Sequence, residues 1–149
     1  MVVKDLLEKK GRSVITIDSR KSVDDAVDRM ASAGVGALIV TENERPVGIF
    51  AERDVLRTYM RDKNVDFAAV PLSEAMTNRL ISAGNDDSIG TVMTLMLQAG
   101  IRHLPVIENA VVVGMLTIND LVQYRLDSMD VELHHLKDYI ADLHDAGHD

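Results

Sequence analysis

Ala33-Gly34-Val35-Gly36-Ala37-Leu38-Ile39-Val40 and Ala99-Gly100-Ile101-Arg102-His103-Leu104-Pro105-Val106 are one stretch written twice, 66 positions apart. The offset extends outward from both copies without a gap. It places Ile15 on Ile81, Ser22 on Ser88, Met30 on Met96, Glu42-Asn43 on Glu108-Asn109, Val47-Gly48 on Val113-Gly114 and Asp54 on Asp120. Residues 13–58 carry twelve identities with their shifted copies, where about three would arise at average residue usage. The chain is therefore an internal duplication. A repeat of this size cannot bury its apolar face alone, so two copies must cover each other and leave two related clefts between them.

Each copy has the same pattern. Val14–Ile17 and Leu80–Ala83 lean toward short strands. Val23, Ala26, Val27 and Met30 then fall on one helical face, as do Ile89, Val92, Met93 and Met96. Ser22 and Ser88 stand where N-caps belong, and Gly34 and Gly100 where a left-handed C-terminal residue belongs. Strands at Ala37–Val40 and Leu104–Ile107 lead through polar turns at Thr41–Glu44 and Glu108-Asn109. Return strands follow at Val47–Phe50 and Val111–Leu116, making two hairpins. A second helix closes each unit near Glu52–Arg61 and Asn119–Leu126. The predicted class is α/β (α+β), two β-α-β-β-α units related by a pseudo-two-fold, the first at about 10–61 and the second at about 72–126. Asp62–Pro71 reads as the linker, and a separate C-terminal helix is expected at about 130–144. Its stripe of Val131, Leu133, Leu136, Tyr139, Ile140 and Leu143 would either cap the host or pack on a second copy of the chain.

The bulk numbers exclude several classes. The 149 residues are 46% hydrophobic but only 3% aromatic, so a core of Val, Ile, Leu, Met and Ala is within reach. A formal charge of −8 and no basic run argue against a nucleic-acid partner. The absence of cysteine removes disulfides, thiolate metal sites and a thiol nucleophile together. The first ten residues are charged and show no leader, and the longest apolar run, Ala110–Leu116, is far below membrane-spanning length. The expectation is a soluble cytoplasmic protein with no membrane partner.

Chemistry is most visible after each hairpin, at Gly48…Asp54 and Gly114…Asp120. Thr117 and Asp120 have the spacing of a capping box, and an acidic residue in a first turn suits the helix dipole with no ligand at all. The same geometry offers backbone N–H groups and a hydroxyl to a phosphate, and a carboxylate to a diol, which suits a ribose-phosphate. Both readings stand on spacing alone, although Ala51 is a poor cap where Asp54 persists.

Taken together, these two glycine-led stretches and the two Gly…Asp segments resemble a pair of CBS motifs, over about residues 10–126. The chain is most similar to small stand-alone bacterial CBS-pair proteins with a Glu-Arg-Asp in the first motif and a C-terminal helix. The resemblance implies a non-catalytic signal-transduction module that binds adenosine nucleotides, with AMP first, NAD next, and ATP, ADP or S-adenosylmethionine as further ligands. It also implies a homodimer. Carried over residue by residue, Asp120 and Thr117 would share one cleft with Ile15, Val35, Gly36 and Ala37. Asp54 and Arg53 would share the other with Ile81, Ile101, Arg102 and His103. The Asp residues would hold a ribose diol, the Ile and Val side chains would sandwich adenine, and Arg53, Arg102 and His103 would meet phosphate. Ala51 deprives the Asp54 cleft of a hydroxyl, which Arg102 and His103 would offset, so the more highly charged phosphates are expected there. An interaction protein with empty clefts and a nucleotide-using enzyme are the alternative functions. His134, His135, His144 and His148 read as solvated helix residues rather than metal ligands.

Overall fold

Ile15, Thr16 and Ile17 place β-branched side chains at three successive positions, which favours extended chain. In the computed structural model, which describes residues 1–146, this becomes β1 (Thr16–Asp18). A helix α1 (Val3–Lys10) precedes it, and α2 (Val23–Ala33), β2 (Ala37–Glu42), β3 (Arg45–Ala51) and α3 (Glu52–Arg61) follow. The second half runs α4 (Leu72–Ala75), α5 (Ile89–Ala99), β4 (His103–Glu108), β5 (Val111–Thr117) and α6 (Ile118–Ala146). β1 lies parallel to β2, which pairs antiparallel with β3; β4 and β5 form a second antiparallel pair. The architecture is the expected mixed α/β one, with two small sheets and a C-terminal helix.

Local chemistry repeats along with the sequence. Ser22 Oγ accepts the Asp25 N–H at 3.1 Å and Ser88 Oγ that of Thr91 at 3.1 Å, which caps α2 and α5. Gly34 and Gly100 end those helices at φ 67° and 65°. Both hairpins shift register at the same point, between Val40 and Thr41 and between Val106 and Ile107. The turns are tighter than their polarity suggests. Asn43-Glu44 and Asn109-Ala110 all take positive φ, the two-residue turn whose twist matches the strands.

Two expected elements differ. Leu80–Ala83 forms no strand, only a single parallel bridge from Ala83 to Val106. Its Ser82-Ala83-Gly84 replaces the Thr16-Ile17-Asp18 of β1 with residues of low strand preference, and Gly84 is drawn into a turn by the Asp87 carboxylate at 2.8 Å. The tail is not a separate helix either. α6 runs unbroken for 29 residues because no glycine or proline interrupts residues 118–146. His148 lies outside the described residues.

The segment preceding each repeat crosses to the other core. Val3, Leu6 and Leu7 of α1 are buried with Ile89, Val92, Met96, Leu104, Leu116 and Leu121 of the second repeat. Leu72 and Ala75 of α4 are buried with Ile17, Val23, Met30, Leu38 and Phe50 of the first. Backbone bonds fix the exchange: Val3 N–H donates to the Asp87 carbonyl at 2.9 Å, and Leu72 N–H to that of Lys21 at 2.8 Å. The linker is thus structured, with a 3-10 turn at Phe67–Ala69 before α4.

Candidate functional site

The two glycine-led stretches meet across the pseudo-two-fold. Each is first tied to its own repeat: Glu52 N–H donates to the Gly36 carbonyl at 3.2 Å, and Ile118 N–H to that of Arg102 at 2.9 Å. The start of β2 then faces the start of β4. A Cβ added to Gly36 would lie 3.1 Å from His103 Nε2 and 2.7 Å from a Glu52 carboxylate oxygen. Here a cleft of about 650 Å³ opens, within the usual range for a small-molecule site. Val14, Ile15, Val35 and Ile118 give it apolar walls, while Lys10, Glu52, Arg102, His103 and Thr117 give it polar ones.

Thr117, Ile15, Val35, Gly36 and Ala37 therefore line one cavity; Asp120, expected with them, stands behind the lining residues Lys10, Thr117 and Asn119. Arg102 and His103 line it too, rather than a cleft with Asp54. Their placement follows from the Arg102 carbonyl, which is bound to the first turn of α6 in the same repeat as Thr117. Ile81 and Ile101 are half-buried against the second core instead. Arg53 is exposed and donates to the Gly100 carbonyl, linking α3 to the end of α5.

The two aspartates are equivalent in sequence and unlike in structure. Asp54 is 2% exposed. Its Oδ2 accepts the Ala51 N–H at 2.9 Å, and its Oδ1 takes both the Thr77 hydroxyl at 2.9 Å and the Arg57 guanidinium at 2.8 Å. Both oxygens are committed within the chain. Thr77 supplies the hydroxyl that Ala51 lacks, so Arg102 and His103 are not its replacement. The Thr77 N–H also donates to the Ile49 carbonyl at 2.9 Å, closing the segment over Asp54.

Lys10 occupies the matching place in the other half. Its ammonium reaches the Met115 carbonyl at 2.5 Å and Asp120 Oδ2 at 2.5 Å. The Thr117 N–H joins that same Oδ2 at 2.8 Å, and Thr117 Oγ1 accepts the Asp120 N–H at 3.1 Å, completing the capping box. Oδ1 of Asp120 has no donor in these bonds. Partial burial pushes the Asp120 carboxyl up, but hydrogen bonds from Lys10 and Thr117 outweigh it and hold the group below the usual carboxylate range. Burial lowers His103; Glu52 opposes that and Arg102 adds to it, so the imidazole is neutral near pH 7.

Lys10, Ser13, Glu52 and Ile118 line the cleft without having been expected there, and Thr77 is the unexpected partner of Asp54. A signal for Lys10 and Thr77 exists upstream: the 66-residue offset continues with Leu6 on Leu72 and Glu8 on Glu74, which puts Lys10 opposite Met76, next to Thr77.

The CBS domain family model matches residues 3–61 and 72–127, the two halves that meet at this cleft. The chain belongs to the CBS domain family. As a tandem CBS pair it is 31% identical over 147 residues to the CBS domain-containing protein CBSX3, mitochondrial, of Arabidopsis thaliana, covering 93% of this chain and 71% of that one. The crystal structure of the CBS domain NE2398 superposes with a TM-score of 0.80 at 34% identity, over 85% of this chain and 98% of that one. The CBS domain protein PAE2072 from Pyrobaculum aerophilum, solved in complex with AMP, shares the fold with a TM-score of 0.71 at 24% identity, covering 80% of this chain and 89% of that one. CBS pairs are in general regulatory modules, and adenosine-type ligands are found in this fold.

Proposed function

We propose that this CBS pair is a sensor of adenine nucleotides, AMP foremost, bound in the cleft between Gly36 and His103. The observation that carries the reading is the contrast between the aspartates. Among the described residues Asp120 keeps Oδ1 uncommitted while held by Lys10 and Thr117, which line the cleft, whereas Asp54 keeps neither oxygen free. Asp120 Oδ1 would accept from the ribose diol, with Lys10 adjusting on Oδ2. Ile15, Val35 and Ile118 would enclose the adenine. Arg102 would meet the phosphate through charge-assisted bonds, with Thr117 adding a hydroxyl. Because the walls come from both repeats, a bound nucleotide would tie the repeats together. It would signal only as far as it binds one relative arrangement of them better than another.

Thermal shift with AMP, ADP, ATP, NAD and S-adenosylmethionine tests this reading and ranks the ligands. AMP at a hundredfold its Kd is expected to add about 2.7 kcal/mol of stability. Arg102→Ala is expected to weaken AMP binding about tenfold or more. A wild-type protein whose melting is unmoved by every nucleotide would sink the proposal and favour the interaction-protein reading.

Binding should also take up a proton. The folded-state pKa of His103 lies below its unfolded value, so the free protein holds fewer protons than the unfolded chain. This contribution to stability is present above about pH 6.5 and lost as pH falls through the lowered value. A phosphate beside His103 raises its pKa again, so AMP affinity is expected to rise between about pH 7.5 and 6 relative to His103→Gln. The phosphate's own ionisation near pH 6 affects both proteins alike. Parallel pH profiles in titration calorimetry would place the phosphate away from His103.

A further inference from the structure

Beyond Ser128, α6 has left both repeats, and every residue from Met129 to Leu143 is exposed. Its apolar residues are nonetheless in strict order. Val122, Leu126, Met129, Leu133, Leu136, Ile140 and Leu143 follow one another at alternating steps of four and three, and each is 47–56% exposed. That is a repeat of 3.5, the seam of a supercoiled helix pair, with Leu126, Leu133 and Ile140 at a and the other four at d. Outside the seam lie Asp127, His134, His135, Asp138 and Asp142, with Val131 and Tyr139 the large apolar exceptions. A helix this long with no tertiary packing is marginal in water, because helical stability comes mostly from covering the apolar face.

We propose that a second copy of this chain covers that face, the two α6 helices running parallel as a two-stranded coiled coil. The flanking charges select both the partner and its direction. Arg125 and Glu132 occupy g positions, and Asp130 and Lys137 occupy e positions. In a parallel pair each g residue faces the e residue five places on in the other strand. Arg125 then meets Asp130 of the second copy, and Glu132 meets its Lys137. Both are opposite-charge pairs, and symmetry forms each on either side of the seam. In the antiparallel register that fully overlaps the stripe, Asp130 still meets Lys137, but Glu132 faces Tyr139 and Arg125 meets no opposite charge, so the parallel pair forms twice as many opposite-charge pairs. The seam stands on spacing, exposure and charge, and is independent of what the cleft binds.

The test uses the full chain, whose lack of cysteine makes one introduced thiol a clean reporter. Wild type is expected to sediment as a self-associating species. Leu133→Glu, at an exposed position that leaves folding intact, should weaken association at least about tenfold. Leu143→Cys should crosslink two chains on mild oxidation, and adding Leu133→Glu should abolish the crosslink. Glu132→Lys should weaken association, and combining it with Lys137→Glu should restore it. A monomeric wild type overturns the proposal, as does an association indifferent to Leu133→Glu. Failure of Leu143→Cys to crosslink, or of the double charge reversal to restore association, also overturns it.

Discussion

Leu7→Ala is expected to destabilise the whole protein by about 3 kcal/mol, although Leu7 lies within the first ten residues of a highly charged segment. Its side chain is fully buried among Leu104, Leu116 and Leu121 of the second repeat. Its methyl carbons would lie 2.8–2.9 Å from a Cβ placed on Gly114, so they sit directly against bare backbone. Removing them leaves a cavity in a core whose other walls are sheet and helix and cannot easily collapse. For a chain of this size the melting midpoint should fall by about 6–12 °C. Chemical denaturation followed by circular dichroism measures it directly. A loss of less than about 0.5 kcal/mol, the size expected of a frayed terminus, would show that α1 is not part of the second core.

Asp54→Ala and Asp120→Ala are expected to fail in opposite ways. The first strips three donors of their acceptor inside the protein: the Ala51 amide, the Thr77 hydroxyl and the Arg57 guanidinium. It should cost about 3 kcal/mol of stability. AMP affinity should change by less than about twofold, since Asp54 is shut away from the cleft. The second removes a partly buried cap and should cost about 1 kcal/mol of stability, while weakening AMP about tenfold or more. Paired denaturation and calorimetry on both variants separates the two roles. Loss of AMP binding in a fully stable Asp54→Ala protein would reverse the assignment of ribose seat and structural tie.

Much of the fold is legible from local rules. Ser22, Ser88, Gly34 and Gly100 mark helix ends because capping and left-handed backbone are decided within four residues. The hairpins follow from alternating apolar runs around Asn43 and Asn109. Legibility stops where a decision is made at a distance. Leu80–Ala83 stands at the repeat position of Val14–Ile17, yet its weaker strand formers hold only one bridge, Ala83 against β4. The apolar stripe that begins near Asp130 looks like the start of a separate helix, yet α6 runs through it. Helical hydrogen bonds have no boundary there without a glycine or proline.

The site was legible in kind more than in grouping. The segments that line the cleft include Gly36-Ala37, Arg102-His103 and Thr117, all visible in the repeat alignment. That Arg102 and His103 stand with Thr117 follows from one backbone bond, Ile118 N–H to the Arg102 carbonyl, which no spacing encodes.

From the sequence alone, then, came the duplication, the class of each unit and the family, because these depend on periodicity and near-neighbour chemistry that every copy carries in itself. Only the tertiary structure decided that α1 and α4 exchange cores, that Thr77 closes over Asp54 while Lys10 reaches Asp120, and that one aspartate is spent and the other is not. Those outcomes depend on which segment the crossing chain brings against which carboxylate. Two residues identical in type and repeat position acquire different chemistry from partners far away in sequence, 23 residues for Asp54 and 110 for Asp120.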